Sequence, residues 1–230
     1  MNRQVQNMVL VLVGATVLRI SAGDTYLRYV REGMRPLLLG AGAILVLLGL
    51  VGAWRDERQR SPAGDHADDG GPRVGWALLL PVLALFLIAP PALGADAASR
   101  DAGTVAAPVD NTFPDLPPGD PVEVLISDYA VRAGWGGEET LTGRTVRIIG
   151  FVTPREEGGW YLTRMALNCC AADALAVKVE VRGAAAPPAD SWVEVVGTYV
   201  PSGADDPTER PPALDVSEVR QIEAPREPYV

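Results

Sequence analysis

Two adjacent cysteines, Cys169 and Cys170, are the residues of this sequence best suited to chemistry. They stand in the segment NCCAADA, residues 168–174, and Asp173 follows three residues later. Thiolates bind soft metals and metalloids, and they also exchange with disulfides. Three interpretations are open: two small buried residues, a vicinal disulfide, or a soft-ligand site that includes Asp173. Because neighbouring strand positions point to opposite faces, at most one cysteine would face a core.

A vicinal disulfide and a soft-ligand site each require a particular local geometry or further ligands. Adjacent cysteines can bridge only through a strained ring, because their Cα atoms lie about 3.8 Å apart. A soft-ligand site would need a further donor from a partner or substrate, since two thiols and one carboxylate do not complete a good tetrahedral zinc set. Arg164, five residues before Cys169, could lower a thiol pKa, pair with Asp173, or be an ordinary surface arginine.

A weaker candidate is the segment DHADD, residues 65–69. It holds the single histidine, His66, and the carboxylates Asp65, Asp68 and Asp69, which are possible ligands of a hard metal or zinc. A lone histidine in an acidic loop is usually only solvated. The sequence contains no G-x-S-x-G, Walker or H-E-x-x-H motif, so we predict no enzymatic activity.

Three apolar runs precede the cysteine segment, at residues 5–22, 36–54 and 75–94. Each approaches the roughly 20 residues that a helix needs to cross a bilayer. The second and third runs contain no charged residue, and Arg19 lies near one end of the first, from where it can reach the interface. Residues 1–94 are therefore predicted to form three transmembrane helices.

Charge separates this membrane region from the rest of the 230-residue chain. Residues 1–94 carry nine arginines and seven acids, a net charge of +2, whereas residues 95–230 carry 11 basic and 22 acidic residues, a net charge of −11. The whole chain has a net charge of −9 although its mean hydropathy is +0.12. An acidic region of this kind is unsuited to neutralising phosphates, so we expect no nucleic-acid partner.

Arginines beside the spans predict their orientation. With the N-terminus in the cytoplasm, five arginines flank the spans on the cytoplasmic side and four on the other, a weak positive-inside bias. Three spans then place the last part of the chain outside the cytoplasm. We expect a multi-pass protein of the cell membrane with an extracytoplasmic domain over residues 121–230.

Residues 95–120, rich in Ala, Pro, Asp and Gly, predict an extended linker. A short helix is expected at 126–135. Strands are predicted at residues 143–154, 160–167, 174–183, 191–201 and 213–224. The pair Gly158-Gly159 suits a hairpin turn between the first two strands. Five short strands with Gly and Pro breaks fit a small OB-like five-stranded barrel. In the third strand, Val177, Val179 and Val181 alternate with Lys178, Glu180 and Arg182, which predicts one apolar and one polar face.

Several segments in this order resemble one family. They are YVREGMRPLL at 29–38, APPALGADAAS at 89–99, GRTVRIIGFV at 143–152 and RMALNCCAADA at 164–174. The chain resembles the YcgQ-like bacterial membrane proteins, which are described as predicted subunits of two-component permeases. The resemblance implies a small membrane subunit beside a larger multi-span permease. It also implies that Cys169, Cys170 and Asp173 are candidate functional positions. The polar loop of that family can be rich in His and Cys, whereas here it keeps only His66 and its acidic neighbours.

Three functions follow as hypotheses. The first is an accessory permease subunit whose outer domain presents or receives a substrate or a thiophilic metal ion. The second is a membrane-tethered thiol redox protein that uses Cys169 and Cys170. The third is a structural assembly protein whose cysteines are inert. A larger permease subunit and the lipid bilayer are the expected partners.

Overall fold

The computed structural model describes residues 3–59, 80, 83–84, 87–88, 91–103, 108, 110, 112–201 and 210–230. The chain divides into two compact units, Met1–Pro91 and Ala92–Val230. Each unit has its own packing, and each is described separately.

The first unit contains two long helices, α1 (Arg3–Ala22) and α2 (Arg35–Gln59). Two short 3₁₀ turns, Thr25–Arg28 and Glu32–Met34, connect them.

Both helices are long and apolar enough to cross a bilayer. An 18-residue window has a mean hydropathy of 1.6 within Arg3–Ala22 and of 2.4 within Glu32–Gln59. These segments contain the first two predicted spans, whereas most of the third, residues 75–94, lies outside the described residues. Two membrane-crossing helices are therefore supported, and the third stays a prediction.

Glycines form the contact between α1 and α2. A Cβ atom added to Gly14 would lie 2.7 Å from the carbonyl oxygen of Gly42, and one added to Gly49 would lie 2.6 Å from Cγ2 of Val11. Small residues that let two backbones approach closely are typical of helix pairs in membranes. Gly14 and Gly49 therefore lie at the points where the backbones of α1 and α2 approach most closely.

Six strands form the sheet of the second unit. They are β1 (Val122–Glu123), β2 (Thr145–Pro154), β3 (Trp160–Ala166), β4 (Leu175–Arg182), β5 (Trp192–Val200) and β6 (Ala213–Gln221). The sheet order is β1-β2-β3-β4-β6-β5, and β2 pairs with β5 as well. This extra pairing closes β2 to β6 into a barrel, so the predicted five-stranded barrel is confirmed.

Local sequence signals account for the strand boundaries. Gly158 and Gly159 both have positive φ, at 92° and 79°, and form the turn of the β2–β3 hairpin. The predicted helix is present as α4 (Ile126–Gly134), and a further helical turn, α5 (Glu138–Leu141), follows it. A short helix, α3 (Ala95–Ser99), precedes both.

The barrel interior is apolar. Trp160, Ile148, Leu162, Val179 and Val195 are fully buried in it. Burial of such side chains is the main stabilising contribution to a small β domain.

The start of the predicted linker lies against the outside of the barrel. Ala95 and Ala98 of α3 pack with Phe151, Met165 and other residues in a second apolar cluster. Residues 95–103 are therefore packed onto the domain rather than extended away from it.

The same segment buries a strand residue that the alternation predicts to face solvent. Lys178 is only 5% exposed. Its Nζ donates a hydrogen bond to the carbonyl oxygen of Asp101, and it lies 5.6 Å from the ring centre of Tyr161. Burial lowers the pKa of Lys178. At Lys178, the segment around Asp101 therefore covers the outer face of β4.

Candidate functional site

The two cysteines lie in the loop that joins β3 to β4, residues 167–174, which we call the thiol loop. A 3₁₀ turn, Ala171–Asp173, forms its second half. Leu167 and Ala174, at its two ends, pack into the second apolar cluster. The β strands and this cluster therefore fix both ends of the loop, while the cysteines between them are only half-buried.

Asp173 organises the interior of the thiol loop. Its carboxylate accepts hydrogen bonds from the backbone N–H groups of Asn168 at 3.1 Å, Cys169 at 2.8 Å and Cys170 at 3.3 Å. The backbone N–H of Asp173 donates in turn to the carbonyl oxygen of Cys170 at 3.0 Å. A carboxylate with three backbone donors fixes a turn strongly.

This turn places the two thiols side by side. The Sγ atoms of Cys169 and Cys170 lie 3.5 Å apart, and both cysteines are free thiols. The two sulfurs and a carboxylate oxygen of Asp173 all lie within 4.8 Å of one another. Among the described residues, these three form the candidate metal cluster, and it is the cluster that the sequence predicted.

The electrostatics of the loop favour the protonated thiol. The Asp173 carboxylate, and after it the Cys170 thiol, accept a hydrogen bond from the Cys169 S–H, and this sharing of its one proton raises the pKa of Cys169 to about 12. The hydrogen bonds from Cys169 hold the pKa of Asp173 below its usual range. At neutral pH the loop therefore holds a neutral Cys169 thiol beside an ionised carboxylate.

Arg164 lies on β3, and its described partners belong to the C-terminal tail. Its guanidinium donates to the carbonyl oxygens of Glu227 at 2.6 Å and Tyr229 at 3.1 Å. It also lies 5.6 Å from the ring centre of Trp192. Burial lowers the pKa of Arg164. The contacts that the structure describes link Arg164 to the tail rather than to the thiols or Asp173.

The weaker candidates His66, Asp65, Asp68 and Asp69 lie outside the described residues, so the metal site predicted there stays a prediction. The sequence predicts Asp173 as a possible metal ligand, but it does not predict that its carboxylate accepts hydrogen bonds from the backbone of the thiol loop. Its spacing of three residues from Cys170 is the available signal, since Asp side chains commonly accept bonds from nearby N–H groups.

Asp101 supports the thiol loop from outside, and sequence reasoning missed it. Its carboxylate accepts a hydrogen bond at 3.0 Å from the backbone N–H of Ala176, two residues after the loop. The same carboxylate accepts one from Gly103 at 2.8 Å. Because Asp101 lies 75 positions from Ala176 in the chain, no local pattern indicates this contact.

Comparison with known proteins covers only part of the chain. No curated protein and no solved structure matches it. The family match begins at the short helix α5, so it includes the closed barrel and the thiol loop and excludes the two long helices. This match does not test the YcgQ-like resemblance or the permease role, so both stay predictions. Residues 138–230 match the family described as the DUF1980 C-terminal domain, which comprises uncharacterised bacterial proteins.

Proposed function

We propose that this protein is a non-enzymatic accessory subunit of a larger membrane permease. Its barrel presents or receives a thiophilic metal ion at Cys169 and Cys170, and the ion is cargo. The observation that carries the proposal is the placement of two free thiols 3.5 Å apart. The Asp173 carboxylate lies in the same cluster.

The distance between the sulfurs fits a shared metal ion. With metal–sulfur bonds of about 2.3 Å, sulfurs 3.5 Å apart subtend roughly 99° at the metal. This angle is close to the roughly 109° of a tetrahedral site. Two-coordinate linear binding would require the sulfurs to be about 4.6 Å apart with the same bonds. The thiol loop therefore suits tetrahedral ions of the zinc type without rearrangement.

The site supplies too few ligands for permanent storage. Structural zinc sites have four protein ligands, whereas the thiol loop offers two sulfurs and a carboxylate that already accepts three backbone hydrogen bonds. The remaining positions are left for water or for donors on a partner. An ion held this way can be passed on, which is what an accessory subunit of a permease would require.

The protonation of Cys169 disfavours thiol–disulfide exchange, whereas a metal ion can displace the proton when it binds. Thiol–disulfide exchange requires a thiolate, and reactive cysteines have depressed pKa values. Cys169 instead has its pKa raised to about 12. A metal ion can still displace the proton, because binding to sulfur is coupled to proton release.

The fold of the domain is consistent with a binding role. β2 pairs with both β3 and β5, and β4 runs parallel to β6. We infer from this strand order that the barrel is OB-like, an architecture commonly used for binding. The two apolar helices and the predicted third span at residues 75–94 would anchor it in the cell membrane, with the barrel on the extracytoplasmic side.

A metal titration of the full chain tests this function. The reduced protein in lipid nanodiscs is titrated with Cd²⁺ while the sulfur-to-metal absorption band is followed, and Zn²⁺ is then added as a competitor. We expect one ion per chain and an affinity that rises with pH, because Cys169 must lose its proton. Cys169→Ser and Cys170→Ser should each weaken binding at least about tenfold. Ala172→Ser, which changes the same loop and keeps both thiols, should bind normally.

Other outcomes would contradict the proposal in identifiable ways. Reversible loss of two hydrogens on oxidation, without metal binding, would indicate the redox function. Thiols that bind no ion and resist alkylation would indicate a structural role. Purification from native membranes in mild detergent without a multi-span protein would argue against a permease partner.

A further inference from the structure

A cleft of about 300 Å³ lies on the barrel where β2 and β3 separate. β3 pairs with β2 only from Phe151 onward, because the register joins Phe151 to Thr163. Earlier residues of β2 pair with β1 on one side and β5 on the other. Arg164, the next residue of β3, lines the cleft, and the C-terminal tail pairs with β3 from Met165 onward.

The lining of the cleft combines an aliphatic wall with charged groups. The aliphatic residues are Val124, Leu125, Ile126 and Ile149, and the charged ones are Glu123, Arg147 and Arg164. Leu125 and Ile149 provide the accessible aliphatic side chains, because Val124 and Ile126 are buried in the core of the domain. None of these residues belongs to the thiol loop. The lining thus carries a formal charge of +1 in a domain that is otherwise strongly acidic.

Both arginines have capacity for another acceptor. The Nε atoms of Arg147 and Arg164 are buried and have no hydrogen-bond partner among the described residues. Arg147 lies only at ion-pair distances, 3.6 Å from Glu123 and 3.7 Å from Glu194. Arg164 uses one terminal amino group for its two carbonyl partners. The Nε atoms lie beneath the surface, but the side chain of Arg147 is 34% exposed and has its described carboxylate partners beyond hydrogen-bond distance. An anionic oxygen in the cleft can therefore accept a hydrogen bond from a terminal nitrogen of this guanidinium.

We propose that this cleft binds a small aliphatic monocarboxylate, with its carboxylate between the guanidinium groups of Arg147 and Arg164 and its hydrocarbon body against the aliphatic wall. The single excess positive charge suits a monoanion, and Glu123 disfavours phosphates with two charges. The volume lies at the small end of ligand pockets. Leu125, which is 62% exposed, would be covered by the ligand.

Arginine protection tests the proposal residue by residue. The full chain in nanodiscs is treated with phenylglyoxal, and modification of each arginine is followed by mass spectrometry. The probe is 4-methylpentanoate, and its neutral analogue 4-methylpentanamide is the matched control for charge. Arg155 is the control residue in the same molecule, because its side chain is 24% exposed and that of Arg147 is 34% exposed.

At saturating 4-methylpentanoate we expect modification of Arg147 to slow roughly tenfold, because a charge-assisted bond occupies the guanidinium. The amide should slow it less than about twofold, and acetate should need a much higher concentration because it lacks the apolar body. Arg155 should be unaffected. Equal protection by the amide, equal slowing at Arg155, or protection that never saturates would each overturn the proposal. Since the wild-type chain is used, loss of folding in a variant cannot mimic any of these results.

Discussion

The helices α1 and α2 pack through close approach of their backbones, whereas apolar side chains fill the barrel. At the helix contact, Gly14 and Gly49 leave no room for a Cβ atom. In the barrel, residues such as Trp160 and Leu162 are completely buried. Water drives apolar side chains into a core, but lipid gives helices no such drive, so backbone packing must hold them together. The two interiors thus differ in the way expected if α1 and α2 lie in lipid and the barrel lies in water.

A leucine-to-alanine substitution should change stability far more in the barrel than in the helix pair, and this is the largest difference that we expect between the two regions. Leu162→Ala removes a fully buried side chain from the barrel and should destabilise it by about 2–5 kcal/mol. Leu48→Ala alters a residue of α2 that is 56% exposed, and should change stability by less than about 0.5 kcal/mol. The measurement is hydrogen exchange of the strand and helix amides in nanodiscs across a urea series. A large cost for Leu48→Ala would show that α2 belongs to a protein core and not to a lipid-facing surface.

Two glycines of α2 offer a second and smaller contrast. A Cβ atom on Gly49 would lie 2.6 Å from Val11 and 2.8 Å from the backbone oxygen of Asn7, whereas one on Gly40 would meet nothing within 4 Å. Gly49→Ala should therefore weaken the helix pair by about 1–3 kcal/mol. Gly40→Ala should be neutral or stabilising by up to about 1 kcal/mol, because alanine favours the helix.

Titration with SDS in mixed micelles, with helix content followed by circular dichroism, measures both glycine variants. Gly49→Ala and Gly40→Ala should change the stability of the helix pair in opposite directions. A general effect of alanine on helices would instead change the stability of both variants in the same direction. If both variants behaved like Gly40→Ala, the close contact at Gly49 would be excluded.

Local patterns were sufficient to predict the five strands of the barrel, but not the short strand β1. Val177, Val179 and Val181 alternate with charged residues, and Gly158-Gly159 marks the hairpin, so strand and turn can be identified from neighbours alone. The observed β3 and β4 agree with the predicted strands to within a residue at each end.

Contacts distant in sequence were not predictable in this way. Lys178 looks solvent-facing by alternation, yet the segment around Asp101 buries it. Arg164 looks like a neighbour of the thiols in sequence, yet its guanidinium binds the carbonyls of Glu227 and Tyr229. Both cases depend on how separate segments meet in space, about which a periodic pattern carries no information.

The thiol loop differs from the helix pair and the barrel because one carboxylate, that of Asp173, holds its turn together. Changes in this loop should therefore alter the global stability of the protein least. The pKa of Asp173 is depressed in the folded chain by hydrogen bonds from Cys169 and neighbouring N–H groups. Its stabilising contribution is therefore complete above the unfolded pKa of about 3.9 and is lost as the pH falls through the lower folded value. We expect exchange protection of the Cys169 and Cys170 amides to persist at neutral pH and to fall in acid before the barrel amides lose theirs. Asp173→Asn should remove that acid transition and leave the strand amides protected. Simultaneous loss across loop and barrel would mean that the loop has no stability separate from the barrel core.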